Sequence, residues 1–232
     1  MTSFELKHLV LLAIPFALIP SMMFIFASFS KWLGKEKGYL LSFLFYWIVW
    51  CLFVPTIMIG TKDFLSLFVD VTPLLSRQNW LVAVLFAFIT LVTLFMYGKN
   101  FIHAPLSLIF IAIPAATING ICEELLWRGL YIKTFPHNFW LAILFPAFGF
   151  AFWHLIPLQI FSSGGKITFI VSTFFLGLAY GFIAYRTGSI QWTVISHSLN
   201  GTIALGGMIA PSMIRLIKNT AIYGDTNEQN SR

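Results

Sequence analysis

The stretch 101–121 reads FIHAPLSLIFIAIPAATINGI and contains no Asp, Glu, Lys or Arg. The hydrocarbon core of a bilayer is about 30 Å thick, so a helix needs about 20 mostly apolar residues to cross it. The length and composition of this stretch therefore predict a transmembrane helix.

Similar apolar stretches recur along the chain, separated by short groups of glycine, lysine and aspartate. The seven stretches are Leu9–Phe29, Tyr39–Ile59, Trp80–Tyr97, Phe101–Ile121, Phe139–Phe161, Ile167–Tyr185 and Ile190–Ile209. Pro211 interrupts a further apolar run, which fits a short terminal or interfacial helix. The sequence thus predicts an all-α fold, a polytopic transmembrane helical bundle of seven to eight spans.

The connections between these stretches are too short to separate domains, and no internal repeat or low-complexity run occurs. We therefore predict a single transmembrane domain over residues 1–218. The polar composition of residues 219–232 predicts a disordered tail.

The overall composition supports the same class of protein. Of 232 residues, 59% are hydrophobic and 9% are charged, whereas a soluble domain has about 25% charged residues. This deficit excludes a soluble enzyme, a disordered chain and a nucleic-acid-binding domain. The scattered Lys and Arg residues fit anchors in loops and at membrane interfaces, so no nucleic-acid partner is expected. We predict a multi-pass protein of the cell membrane, in contact with lipids.

One group of charges stands within a hydrophobic helix. Residues 122–129 read CEELLWRG and directly follow the apolar stretch 101–121. Charged groups at such depth cost about 2.5–3.5 kcal/mol each, but Glu124 and Arg128 are four residues apart and can pair on one helical face. Glu123 lies about 100° around the helix, so it is available to accept a proton. The alternative is an interfacial helix end, with Arg128 reaching lipid headgroups.

Two further apolar stretches carry polar side chains. His154 closes the sequence FAFWH at 150–154, and His197 and Asn200 lie in HSLNG at 197–201. Residues three apart share a helical face, so His197 and Asn200 point the same way. An interfacial histidine and a pair of inter-helix hydrogen-bonding residues are the structural alternatives. Together with the acidic motif, these side chains match the inventory of a general base, an orienting cation and oxyanion donors.

The order of these motifs, EExxxR, FxxxH and a late His and Asn pair, resembles the CAAX protease and bacteriocin-processing (CPBP or ABI) family of intramembrane endopeptidases. The resemblance covers a motif-bearing core at about residues 100–205 and includes GSIQWTVISHSLNG at 188–201. The family's last motif usually has Asn four residues after His, whereas here Asn200 is three residues after His197 and Gly201 takes the fourth position.

The resemblance implies an endopeptidase in which Glu123, with help from His154, activates a water molecule that attacks a peptide carbonyl. It also implies that His197 and Asn200 stabilise the oxyanion, beside the paired Glu124 and Arg128. The implied partner is a peptide or lipidated-peptide substrate, either a prenylated CAAX-type C-terminus or a bacteriocin leader peptide.

Three alternatives use the same residues differently. Glu123 or Glu124 with His154 and His197 supply enough ligands for Zn²⁺, but no HExxH motif occurs, and a metal-free glutamate mechanism without a cofactor is favoured. A transporter component could use buried ionisable groups to relay protons or bind an ion. A membrane immunity or scaffold protein could keep the fold without turnover. The sequence predicts no particular oligomeric state.

Overall fold

The structure is a computed structural model that describes residues 5–69, 73, 74, 76, 79–160 and 165–229, with side chains described only as far as residue 214. Within these residues the chain is helical apart from short connections, and no strand occurs. The predicted all-α class is therefore confirmed for the described part of the chain.

Seven long helices follow one another in the described residues. They are α1 (Leu6–Leu33), α2 (Lys35–Val69), α3 (Trp80–Phe101), α4 (Leu106–Thr134), α5 (Trp140–Ile160), α6 (Lys166–Thr187) and α7 (Gln191–Gln229). Among the described residues, six of these, α1 to α6, are long and apolar enough to cross a membrane. A membrane-spanning bundle is confirmed, whereas the predicted count of seven to eight spans is not.

The last helix continues past the proline that interrupts its apolar run. Pro211 lies inside α7 and does not start a separate helix. The backbone of α7 continues to Gln229, and residues 230–232 lie outside the described part. The disordered tail over residues 219–232 stays a prediction.

The helices expose large apolar side chains that a water-soluble protein would bury. Phe95 is 91% exposed, Ile167 80% and Leu6 76%. Burying a side chain of this kind away from water is worth about 1.5–3 kcal/mol, so these surfaces suit the hydrocarbon interior of a membrane.

Several of the helices are not regular along their whole length. Gly60 breaks α2 with a φ of 78°, a left-handed conformation that glycine adopts without strain. π-helical segments, which close i→i+5 hydrogen bonds and often accompany functional sites, occupy Tyr46–Phe53, Leu94–Gly98, Leu125–Gly129 and Trp140–Leu144. The segment Leu125–Gly129 follows the two adjacent glutamates directly, so the acidic motif lies at an irregular part of α4.

The chain forms two compact units. Unit 1 comprises Met1–Leu85 and Ile121–Thr193, and unit 2 comprises Phe86–Gly120 and Val194–Arg232. The single domain proposed from the sequence over residues 1–218 stays a prediction.

The core of unit 1 is rich in aromatic side chains whose polar atoms are hydrogen-bonded. The Trp127 indole N–H donates to the Tyr46 hydroxyl at 2.8 Å, and the Tyr131 hydroxyl donates to the Leu11 carbonyl at 3.2 Å. Such bonds avoid the penalty of burying an unpaired donor. Cys51 and Cys122 are free and buried, and free cysteines commonly pack in this way as small hydrophobic side chains.

In unit 2, small residues let α4 and α7 approach closely. A Cβ atom added at Gly120 would lie 3.0 Å from the Ser198 hydroxyl oxygen, and one at Gly201 would lie 3.2 Å from the Ala116 Cβ. Close backbone approach through glycine and alanine is typical of helix packing in membranes.

Candidate active site

The acidic motif forms a buried ion pair at the end of α4 in unit 1. The Arg128 Nη1 atom lies 3.0 Å from the Glu124 Oε1 atom, and both side chains are enclosed by protein. This confirms the pairing predicted from the four-residue spacing. Because Arg128 is 1% exposed, the alternative of an arginine extending from an interfacial helix end is wrong.

Aromatic rings hold the same guanidinium group from another direction. The Arg128 Cζ atom lies 4.1 Å from the Phe150 ring centroid and 5.5 Å from that of Tyr180. A cation above an aromatic face gains about 2 kcal/mol or more when it is desolvated. Phe150 is the first residue of FxxxH, so the second motif supports the cation of the first.

Glu123 has a different partner from its neighbour Glu124. The Glu123 Oε1 atom accepts a hydrogen bond from the Trp153 indole N–H at 3.0 Å, and Glu123 is 1% exposed. The Trp153 ring stacks on Tyr46 with centroids 3.9 Å apart and planes at 20°. The two adjacent carboxylates therefore meet different chemistry: Glu124 faces a cation and Glu123 a neutral donor.

Gly129 allows a neighbouring helix to lie directly against this segment. A Cβ atom at residue 129 would lie 2.6 Å from Leu67 Cδ1. Leu67 itself is buried, and its carbonyl accepts hydrogen bonds from the Ser189 hydroxyl at 2.5 Å and the Ile190 N–H at 3.0 Å. The glycine after Arg128 thus has a packing role: it lets the end of α2 cover the acidic motif.

His154 lies where α5 turns, because a proline follows. Pro157 has no N–H to donate to the Trp153 carbonyl, and the proline ring would crowd that carbonyl in a regular helix. Residues 154–156 therefore form a tight turn. The His154 Nδ1–H donates to the Phe150 carbonyl at 2.7 Å, since a carbonyl can only accept. In the neutral ring this bond makes Nε2 the acceptor nitrogen. His154 is half-buried, unlike the enclosed Glu123.

His197 and Asn200 belong to α7 in unit 2. His197 is half-buried, and Asn200 is buried. The Asn200 Nδ2 atom donates to the Ser196 carbonyl at 2.7 Å and to the Ser196 hydroxyl oxygen at 3.0 Å. The Asn200 Oδ1 atom is buried and has no hydrogen-bond partner among the described residues. The amide therefore turns its donors toward its own helix.

The position of Asn200 three residues after His197 has a packing reason in unit 2. At residue 201 even a Cβ atom would lie 3.2 Å from the Ala116 Cβ, and an Asn side chain would press on that methyl group. The close approach of α4 and α7 leaves room only for a small residue at position 201, which is glycine. The asparagine occupies position 200 instead.

Three of the candidate metal ligands, Glu123, Glu124 and His154, lie in unit 1. Among the described residues, no three His, Cys, Asp or Glu side chains are grouped so that they could hold a metal ion. The Arg128 cation lies 3.0 Å from Glu124 and would repel a metal cation there. The metal-free mechanism stays a prediction.

The structure thus places Glu123, Glu124, Arg128 and His154 in unit 1, and His197 and Asn200 in unit 2. Sequence reasoning missed Trp153 and Tyr46, the side chains that contact or support Glu123. Trp153 directly precedes His154, but among 26 Phe and 8 Trp residues one more aromatic residue gives no specific signal.

Residues 105–203 match the model of a family described as Rce1-like, type II CAAX prenyl endopeptidase. The matched segment contains all six candidate residues and confirms the resemblance seen in the motifs. No curated protein and no solved structure matches the chain.

Proposed function

We propose that this chain, whose residues 105–203 match the Rce1-like type II CAAX prenyl endopeptidase family, is an intramembrane endopeptidase with Glu123 as its general base. The family is one of proteases, and the six membrane-capable helices put the chain in a membrane. We assign it to the cell membrane. The proposal covers the role of Glu123 as general base and the chemical class of the substrate.

The different partners of the two carboxylates carry the proposal. Protonating Glu124 would leave the buried Arg128 charge without its counter-ion, which is strongly unfavourable in a protein interior. Glu123 Oε1 accepts its hydrogen bond from the neutral Trp153 N–H. We therefore assign the general base to Glu123, and the fixed electrostatic part of the site to Glu124 with Arg128.

In the proposed reaction, Glu123 takes a proton from a water molecule as the water oxygen attacks the peptide carbonyl carbon. The acceptor nitrogen of His154, Nε2, orients that water. The C–N bond of the resulting tetrahedral intermediate breaks, and the proton held by Glu123 passes to the departing amine. The products are a carboxylic acid and an amine, and the acid then gives up its proton to leave a carboxylate and an ammonium group. One water is consumed for each bond cleaved.

His197 and Asn200 are proposed as oxyanion donors, by resemblance to the family. A donor at this position stabilises the negative charge that develops on the carbonyl oxygen. For Asn200 this role requires the amide to turn away from Ser196, which now accepts both of its hydrogen bonds. His197 is therefore the stronger candidate.

A prenylated C-terminal peptide is the proposed substrate class, because the matched family is described as a CAAX prenyl endopeptidase. The lipid of such a substrate would partition into the bilayer at about 0.8 kcal/mol per buried CH₂ group. A leader peptide of a bacteriocin is the second peptide to test.

The decisive experiment offers prenylated and unprenylated peptides to the purified protein in lipid nanodiscs and detects the released fragments by mass spectrometry. We expect Glu123→Gln to reduce cleavage by at least about 100-fold, the lower range for general-base catalysis. Glu36→Gln is the matched control, because Glu36 is exposed in α2, and we expect it to cleave as the wild type does.

Undiminished cleavage by Glu123→Gln would exclude the glutamate mechanism. If the wild type cleaves neither a prenylated peptide nor a leader peptide, the protein is instead a non-catalytic immunity or scaffold protein, or a transporter component.

A further inference from the structure

We propose that Trp153 is a positioning residue, whose indole N–H fixes the orientation of the Glu123 carboxylate. The inference rests on the proposed function, in which Glu123 is the general base. It concerns a side chain that neither the motifs nor the family match singles out.

The bond itself is well placed for this role. The Trp153 Nε1 atom lies 3.0 Å from Glu123 Oε1, and both side chains are fully enclosed. An N–H donor to a carboxylate forms a charge-assisted bond, which is stronger than one between neutral groups. Because a carboxylate is planar, fixing one oxygen restricts rotation of the group and fixes the direction of the second oxygen.

The indole ring is itself held in place. Tyr46 of α2 stacks on it at 3.9 Å, and the edges of Phe26 and Phe43 contact it with centroids 6.1 Å apart in both cases. Aromatic pairs in these geometries contribute about 0.5–1.5 kcal/mol each beyond their buried area. Rotating the indole away from Glu123 would break all three contacts, so the donor stays directed at the carboxylate.

The chain order adds a consequence for the reaction. Trp153 immediately precedes His154, so the residue that orients the base is covalently next to the histidine proposed to orient the water. The bond from Trp153 to Glu123 therefore fixes the position of α5, and with it His154, relative to the acidic motif of α4. A shift of about 1 Å in a catalytic group can lower a rate about 100-fold.

Trp127 provides a matched control for loss of a buried indole. Like Trp153 it is fully enclosed in unit 1 and donates its N–H to a side-chain oxygen, but that oxygen is the hydroxyl of Tyr46. Trp127→Phe and Trp153→Phe therefore remove the same atoms from comparable surroundings. They differ in whether the lost donor served a carboxylate.

The kinetic experiment compares the two variants on the prenylated peptide. We expect Trp153→Phe to lower kcat by up to about 100-fold, the loss that a displacement of about 1 Å in a catalytic group can cause. KM should stay near the wild-type value, because Trp153 acts on the base and not on the substrate. Trp127→Phe should lose a similar amount of thermal stability but less kcat, because Trp127 is linked to Glu123 only indirectly, through Tyr46 and Trp153. Equal losses of kcat in both variants would overturn the inference.

A spectroscopic experiment tests the bond without relying on turnover. In protein labelled with ¹⁵N at tryptophan, we expect Glu123→Gln to move the Trp153 indole N–H proton resonance upfield, because an amide oxygen accepts more weakly than a carboxylate. The Trp127 resonance should not move. An unchanged Trp153 resonance would overturn the inference even if the enzyme is active. Absence of wild-type cleavage would overturn the proposed function, and the resonance would still decide whether Trp153 holds Glu123.

Discussion

Arg128 contacts a carboxylate on one side and two aromatic rings on another, so it combines charge pairing with packing. A buried ion pair differs from a surface pair because removing one partner leaves the other charged and desolvated. The pair therefore restricts what can replace either residue.

We predict that Arg128→Met destabilises the protein by about 3–5 kcal/mol, because it leaves Glu124 as an uncompensated buried charge. The double variant Glu124→Leu with Arg128→Met should recover most of that loss, since both charges are gone. Neither variant should be active, because the fixed electrostatic part of the site is absent. Unfolding in detergent, followed by circular dichroism, measures the stabilities. A double variant as unstable as the single one would contradict the pairing argument.

A second prediction separates the two oxyanion candidates. His197→Ala should lower kcat/KM about 100- to 1000-fold, the usual effect of losing an oxyanion donor. Asn200→Ala should lower it by a smaller factor, because the Asn200 amide nitrogen is engaged with Ser196. Equal losses would mean that the amide turns toward the substrate during turnover.

A third prediction concerns metal dependence. Activity should survive treatment with a strong zinc chelator, and elemental analysis of the active protein should show no stoichiometric zinc. The reason is the Arg128 cation, 3.0 Å from Glu124, which disfavours a divalent ion beside the carboxylates. Loss of activity on chelation, with recovery on adding Zn²⁺, would contradict this prediction.

At the residue scale, local spacing predicts only part of these contacts. Glu124 and Arg128 are four residues apart, so their pairing follows from helical geometry alone. The bond between Glu123 and Trp153 joins residues 30 positions apart, and it depends on how two helices pack. No single-sequence pattern encodes that packing in a chain with so many aromatic residues.

At the level of elements, the end of α4 is enclosed by other helices over consecutive residues. Residues 122–132 are all buried, although a helix at a surface buries only one stripe. Leu67 of α2 contributes to this enclosure by its contact with Gly129, the residue after Arg128. The acidic motif is thus held by packing on every side of its helix.

We predict that Gly129→Val destabilises the protein by about 1–3 kcal/mol, the usual effect of overpacking a core. Its first added carbon would lie 2.6 Å from Leu67 Cδ1. In a Leu67→Ala background the same substitution should cost less, because the opposing methyl groups are gone. A double-mutant cycle on unfolding free energies measures this coupling. Additive effects would show that Leu67 does not contact Gly129 in the membrane.

The sequence located most helices but not their irregularities. Apolar length predicted α1, α3, α5 and α6 to within a few residues, because crossing a bilayer demands that length. Two helices run well past their predicted ends: α2 continues to Val69 and α4 to Thr134. The turn at His154 was not predicted, although Pro157, which lacks an N–H, is a local marker for it. The π-helical segment after Glu124 and the extension of α7 through Pro211 had no such local marker, since they depend on neighbouring helices.

For the molecule as a whole, the scarcity of charge and the exposure of large apolar side chains have one physical cause. A chain with 9% charged residues cannot cover its surface with polar groups, and Phe95, Ile167 and Leu6 are left for lipid. Because charged residues are so few, a group of them within an apolar helix is a specific signal. Composition and the acidic motif together therefore indicated the candidate active site.

The final prediction concerns how the helices cross the membrane. If each of α1 to α4 spans the bilayer once, the connection after α1 and the connection after α3 lie on one side, and the connection after α4 lies on the other. Exposed residues mark these connections: Glu36 at the start of α2, His103 after α3 and His137 after α4. A membrane-impermeant maleimide reports the side of a cysteine placed at each of them.

Native Cys51 and Cys122 are buried, so the folded wild type should label weakly and provide the background. We expect Glu36→Cys and His103→Cys to label from the same face of sealed vesicles and His137→Cys from the opposite face. The physical reason is that no polar connection can rest inside the hydrocarbon core without unsatisfied backbone groups. Labelling of all three from one face would mean that α4 enters the membrane without crossing it, and Glu123 would then lie in a re-entrant segment.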